Sequence, residues 1–400
     1  MRIVIVALLT SLAAGVFAAV TLRLMMVLIA LIWDNRLAAA PVYAVVVCAL
    51  GGVLIGLTRR TAHVQTLGEQ IEAAADPLRQ TRRRIAMTAL GAVLAVGFGG
   101  AIGPEAGLIA VITELAALVS LVVARSAAEA RELGRVCVSA ALASLYASPP
   151  GGYVYATGEE DAAPWAEARA QSIPFLGFVS ALAGLAGFLL AARFLFTQSF
   201  HRIHLPPHVS PGDGSDILFA LLPALFGAAV GAVFLHVHVR AARLVETRIA
   251  NPLLQSALGG LVLGCLAAAL PAVRFSGHHE FDAMLQWGGG ATAPALIGLA
   301  LIKLLACAIC LATGWRGGAI FPLVFAGGAA GLAAHHLQSG PDATVAVAAG
   351  LAGATAAGLG KPVAALLILV FLVGAGTLLP ICVGIAAGLA AARLSPRATH

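Results

Sequence analysis

From Ile3 to Trp33 the chain runs through nearly thirty apolar residues with only Arg23 inside the run. A secretory h-region stops at about 7–15 residues, so this stretch reads as a retained, long and tilted helix rather than a removed signal. Eleven more apolar runs follow, at 38–57, 85–102, 106–124, 134–147, 173–196, 217–239, 253–271, 294–313, 319–337, 343–359 and 362–392. With 60% hydrophobic and 10% charged residues, no single globular core could hide so much apolar surface, and lipid is the natural solvent. A soluble enzyme is excluded.

Several of these runs are too short to span, or are cut by Gly-Pro or Gly-Gly where a straight span of about 20 residues would need continuity. Irregular backbone at that depth must line a cavity. The 45 glycines suit close helix packing and broken helices. The 24 basic against 18 acidic residues give +6, and they lie between apolar runs rather than in one stripe, which implies topology and not nucleic-acid binding. The densest cluster, Arg59, Arg60, Arg79, Arg82, Arg83 and Arg84, marks the loop from Thr58 to Arg84 as cytoplasmic. The stretches Glu159 to Ala170 and Thr197 to Asp216 read as ordinary connectors. The expectation is one transmembrane domain over residues 1–400, without an extramembrane domain.

Cys48, Cys137, Cys265, Cys307, Cys310 and Cys382 all fall in apolar runs and behave as small hydrophobes. The Cys307-x-x-Cys310 pair has no second pair to complete a metal site, and His278-His279-Glu280 reads as a polar loop whose consecutive side chains diverge. His236, His238, His335 and His336 read as helix-end or interfacial residues. No metal and no cofactor are expected.

An internal repeat organises the chain. Pro104 opens an apolar run and Pro150 interrupts another 46 residues later; Pro322 opens a run and Pro362 interrupts another 40 residues later. Interrupted segments at corresponding places in two halves, 38–196 and 217–392, point to a transporter built from repeats whose site lies where the broken helices meet.

Two segments carry the chemistry. In the first, Gly97-Phe98-Gly99-Gly100-Ala101-Ile102-Gly103 leads into Pro104 and Glu105, and proline suits a first helical turn. A helix start inside the membrane offers free N–H donors and a partial positive charge, which hold an anion without a basic side chain. Glu105 is a carboxylate in that first turn, able to compete with an anion, and its cost at membrane depth favours a functional role. In the second, Gly314-Trp315-Arg316-Gly317-Gly318 leads into Ala319-Ile320-Phe321-Pro322, and the N–H groups of Ala319, Ile320 and Phe321 are candidate anion donors. The anion is expected between Gly103-Pro104 and Gly317-Gly318.

Gly317 to Pro322 resembles the G-x-F-x-P region of the CLC chloride channels and transporters, and Gly100 to Pro104 resembles that family's G-K/R-E-G-P motif. Leu270-Pro271, the stretch from Lys303 to Ala312, and Gly353 to Leu372 with Lys361-Pro362 extend the resemblance over roughly residues 40–392. It implies an all-α polytopic membrane protein, a CLC-like inverted-repeat bundle with broken helices meeting at the midplane. It also implies a homodimer in which each subunit holds its own anion pathway. The family's gating glutamate falls on Ile102, with Glu105 three residues on and able to reach the same cavity. The family's inner serine motif falls near Arg60 to Val64, where Thr61 supplies the hydroxyl, and Glu160 falls near the family's proton-relay glutamate. No final helix with a pore tyrosine is expected before His400.

The sequence thus reads as a transporter of small inorganic anions, chloride first, with fluoride or nitrate as alternatives, passively or in exchange for protons. It is placed in a bacterial inner membrane. A polytopic membrane enzyme is the rival, but no nucleophile-base pair, H-E-x-x-H or phosphate loop stands at membrane depth. A non-conducting membrane scaffold is the other rival, suggested by Ile102.

Overall fold

The computed structural model describes residues 2–59, 82–158, 175–196, 203–338 and 342–394. These residues carry fifteen α-helices: α1 (Arg2–Trp33), α2 (Pro41–Arg59), α3 (Arg82–Gly97), α4 (Glu105–Val123), α5 (Ala127–Tyr146), α6 (Pro149–Thr157), α7 (Leu176–Leu195), α8 (Ser215–Arg248), α9 (Pro252–Ala269), α10 (Phe281–Gly288), α11 (Ala293–Ala312), α12 (Ile320–Gln338), α13 (Ala343–Leu359), α14 (Pro362–Val373) and α15 (Leu378–Leu394). Eight of them, α1, α2, α4, α7, α8, α9, α11 and α12, are long and apolar enough to cross a membrane. Among the described residues there is no strand, only an isolated antiparallel bridge between Gly103 and Gly318.

Helix ends follow local chemistry. Pro252 and Pro362 occupy first turns, where a missing N–H costs nothing. Asn251 accepts from Leu253 N–H and Ser126 from Glu129 N–H, so α9 and α5 begin with side-chain caps. The last apolar run, 362–392, is not one helix: it breaks at Gly374, whose φ of 122° no side-chain-bearing residue adopts readily, and a short 3-10 turn leads into α15. The run at 217–239 is longer than it reads, because α8 continues to Arg248.

The bundle is ordered by burial. Every residue of α12 from Ile320 to Ala334 and of α13 from Thr344 to Ala357 is buried, so these two helices form its centre. Helices on the outside present Leu31, Val122 and Phe194 outward, 76%, 86% and 84% exposed, a surface suited to lipid. Between helices lipid offers no hydrophobic gain, so close van der Waals packing of small residues holds them together. A Cβ on Gly227 of α8 would collide with the Gly350 carbonyl of α13.

The connector before α8 is also held. Ile203 N–H donates to Leu372 O at 3.1 Å, and Thr344 Oγ1 donates to Pro206 O at 3.2 Å. His208 stands between Asp216, 3.0 Å from Nε2, and Asp342 on Nδ1. Burial works against its charge, but the hydrogen bonds and charges of the two carboxylates outweigh that and raise His208 above its ordinary value.

Candidate anion site

The site is assembled from two chain breaks. After α3 the backbone turns at Gly99 (φ 91°), with Trp33 Nε1 donating to Gly97 O at 3.0 Å. After α11 it turns at Gly314 (φ 80°), with Trp315 N–H donating to Cys310 O at 2.9 Å. The two segments then meet: Gly103 N–H donates to Gly318 O at 2.8 Å, and Gly318 N–H to Gly103 O at 3.2 Å. Immediately beyond this stitch, α4 starts at Glu105 and α12 at Ile320. The positive ends of two helices therefore converge.

The carboxylate of Glu105 fills that convergence. A Cβ on either Gly103 or Gly318 would overlap it, which is why both positions need glycine. Glu105 is fully buried; its Oε1 accepts from the Tyr146 hydroxyl at 3.4 Å and its Oε2 has no hydrogen-bond partner. Each helix start carries roughly half a positive charge, so two together match about one negative charge. The carboxylate stands where a small anion would feel the same field.

Tyr146 was not singled out in the sequence. It is the last residue of α5, fully buried, and the chain leaves it through Ala147 in the left-handed region (φ 49°) to start α6 with Ser148 as cap. Its ring lies against Tyr155 at 6.2 Å and Phe321 at 5.9 Å between centroids. The signal that could have found it is a tyrosine inside an apolar run, since a buried phenol must find a partner.

Ile102 is fully buried, and a Cβ on Gly317 would overlap its side chain. Ile102 thus contacts Gly317 while Glu105 contacts Gly103 and Gly318. The N–H groups of Gly103 and Gly318 bond to each other's carbonyls, and that of Gly318 also faces the Glu105 carboxylate. Those of the first turn of α12, Ile320 and Phe321 among them, have no acceptor within the helix. Ala319 immediately precedes that turn, and its carbonyl accepts from Leu323 N–H at 3.0 Å. Pro104 caps the start of α4. Thr61 and Glu160 lie outside the described residues.

Arg59 is not a solvated loop arginine. Its guanidinium donates to Thr313 O and Ser256 Oγ, both at 2.8 Å, to Gln255 Oε1 at 2.7 Å and to Pro252 O at 3.2 Å, tying the end of α2 to α9 and to the end of α11. Arg316, 3% exposed, reaches the other way and donates to Met87 O at 3.1 Å. Cys307 and Cys310 are free and buried in α11, and among the described residues no group of three histidine, cysteine or acidic side chains could hold a metal.

These features define a polytopic, all-helical membrane protein with a carboxylate held where two broken helices begin. The family model described as voltage gated chloride channel matches residues 51–393, and the chain belongs to that family. Its members are channels and transporters rather than enzymes. Among curated relatives, putative ion-transport proteins YfeO of Escherichia coli (strain SMS-3-5 / SECEC) and of Escherichia fergusonii are each 33% identical over 179 residues, 44% of this chain. The match spans 41% of the length of those relatives. The fold is that of a slow cyanobacterial Cl-/H+ antiporter, with TM-score 0.81 and 21% identity over 98% of this chain and 95% of the other. It is also that of a CLC-type fluoride/proton antiporter, with TM-score 0.75 and 16% identity over 97% and 95%.

Proposed function

We propose that this protein moves small inorganic anions, chloride first, across a bacterial plasma membrane, with Glu105 as the group that gives way to the anion. One observation carries the reading: a fully buried carboxylate sits at the convergence of two helix starts with one oxygen unpartnered. An ionised side chain at membrane depth costs several kcal/mol, and here helix ends rather than a basic side chain offset the charge. When Glu105 takes a proton its claim on those ends weakens, and an anion replaces it against the first turn of α12 and the Tyr146 hydroxyl. Anion entry and proton uptake are thereby coupled at one place, which suits an exchanger. Ile102, at the family's gate position, forms the apolar wall beside Gly317. The stitch between Gly103 and Gly318 supports reading 38–196 and 217–392 as inverted repeats, because corresponding segments of the two halves meet there. Family membership supports a homodimer with one pathway per subunit.

The test is flux from liposomes loaded with chloride, fluoride or nitrate, recorded together with proton movement. Anion efflux that drives protons the opposite way is the expected result. Folded, dimeric protein that moves none of the three anions would favour the non-conducting scaffold.

A further inference from the structure

The loop between α9 and α10 forms a third wall of the site. Lys303, fully buried on α11, donates to four successive carbonyls of that loop: Ala272 at 3.0 Å, Val273 at 3.2 Å, Arg274 at 2.8 Å and Phe275 at 2.9 Å. Phe275, held with φ 59°, donates its N–H to Gly99 O at 3.3 Å, so the loop is bonded to the glycine segment that leads to Glu105. Gly277 (φ 90°) lies against the Phe325 side chain of α12, where a Cβ would not fit. The next residue, His278, is thereby placed with its ring 4.9 Å from that of Phe321, tilted by 59°. Phe321 in turn contacts Tyr146, the partner of Glu105.

The loop also has a side. Arg274 lies over the Trp33 ring at 4.5 Å, and Phe275 packs on the same ring at 5.7 Å. Trp33 ends α1 close to where α2 begins, and the arginine-rich end of α2 at Arg59 is at the other end of that helix. His278 therefore stands toward the Trp33 and Tyr43 end of α2, opposite the Arg59 end.

We propose that His278 is the residue through which acidity on the Trp33 side strengthens anion uptake, by placing a positive charge beside Phe321 at the entrance to the site. Histidine is the side chain whose charge ordinarily changes between about pH 5 and 8. Several titratable and charged groups stand around it. His279, exposed, lies 5.3 Å away ring to ring; Glu280 and Asp282 follow on the same stretch; Arg274 and Lys303 lie behind the loop; and Glu105 with Tyr146 lies across Phe321. Arg274 keeps its guanidinium charge through this pH range, and the variants below separate His278 from His279 and from the carboxylates.

The inference rests on the anion-transport reading and deepens it, and the experiment separates the two. Chloride binding to the purified dimer is measured by calorimetry at about pH 8 and about pH 5 in Glu105→Gln, which removes the carboxylate's own titration. Binding is expected to tighten roughly fivefold on acidification, the scale of one charge acting through a largely aqueous medium. Adding His278→Gln should abolish the change, and His278→Lys should give the tight value at both pH values. A shift that survives in Glu105→Gln/His278→Gln, or that disappears with His279→Gln instead, overturns this inference alone. Chloride binding absent from every variant overturns the transport reading together with it.

Discussion

Two fully buried side chains that are ordinarily charged, Lys303 and Glu105, stand in the same bundle and are treated in opposite ways. The Lys303 ammonium has four carbonyl partners and a Phe325 ring 5.0 Å away. The Glu105 carboxylate has one long side-chain hydrogen bond, from Tyr146, and otherwise faces the backbone N–H groups of Gly318 and of Glu105 itself. A buried charge that is wholly satisfied is tied to one geometry and serves the fold. One that is held mainly by the field of two helix ends can be exchanged for another negative charge, because the field does not depend on which anion occupies it. Burial is the same at both; only the partners tell structure from function.

The contrast is tested first by Lys303→Met. Removing the ammonium leaves four carbonyls without their donor, so a loss of about 3–5 kcal/mol is expected, read as failure to recover folded protein or a large fall in melting temperature. A variant as stable as the wild type would mean that the carbonyl cage is incidental. Glu105→Gln should do the reverse. Stability should hold, since the amide keeps the carboxylate's shape and leaves no buried charge to be offset, while anion flux at neutral pH rises and its pH dependence flattens. If both flux and pH response stay at wild-type values in a folded variant, Glu105 is only a helix-start residue.

Smaller effects sharpen the same contrast. Ile102→Glu would place a second carboxylate on the segment that carries Glu105, and flux should become more steeply pH-dependent because two like charges resist ionising together; an unchanged flux-against-pH curve would count against Ile102 lining the pathway. Tyr146→Phe removes one neutral donor worth about 1 kcal/mol, which corresponds to a shift of about 0.7 pH unit in the flux profile without loss of fold. Protonation should become easier, moving the profile to higher pH. The smallest effect belongs to His208. Its value is raised in the folded protein, so its contribution is complete below the ordinary histidine range and is lost as pH rises through the folded value. Melting temperature should fall across that window in the wild type, and His208→Gln should flatten the fall; a parallel curve would show that the Asp216–His208–Asp342 contact adds nothing.

Much of the fold was legible because bilayer thickness and backbone hydrogen bonding leave few choices to an apolar chain. The helix starts after Pro104 and within the Gly317 to Pro322 segment could be read from proline and glycine alone, and so could the place of Glu105 in a first helical turn. Tyr146 and His278 could not be read as site residues. A tyrosine inside an apolar run must find a partner, but nothing local says which one, and nothing local distinguishes a histidine in a polar loop. Arg59 misled for the same reason: beside other arginines it looks like a loop residue, while its partners Gln255, Ser256 and Thr313 come from nearly 200 residues away or more.

By itself the sequence determined that this chain lives in a membrane, that its helices are broken, and where the breaks fall, since these depend on local composition and on backbone groups that must be satisfied within a few residues. Only the tertiary structure decided which breaks meet. That Gly103 bonds to Gly318, that Glu105 rather than Ile102 occupies the convergence, and that Tyr146 closes over it are contacts between distant segments, and distance along a chain carries no record of proximity in space.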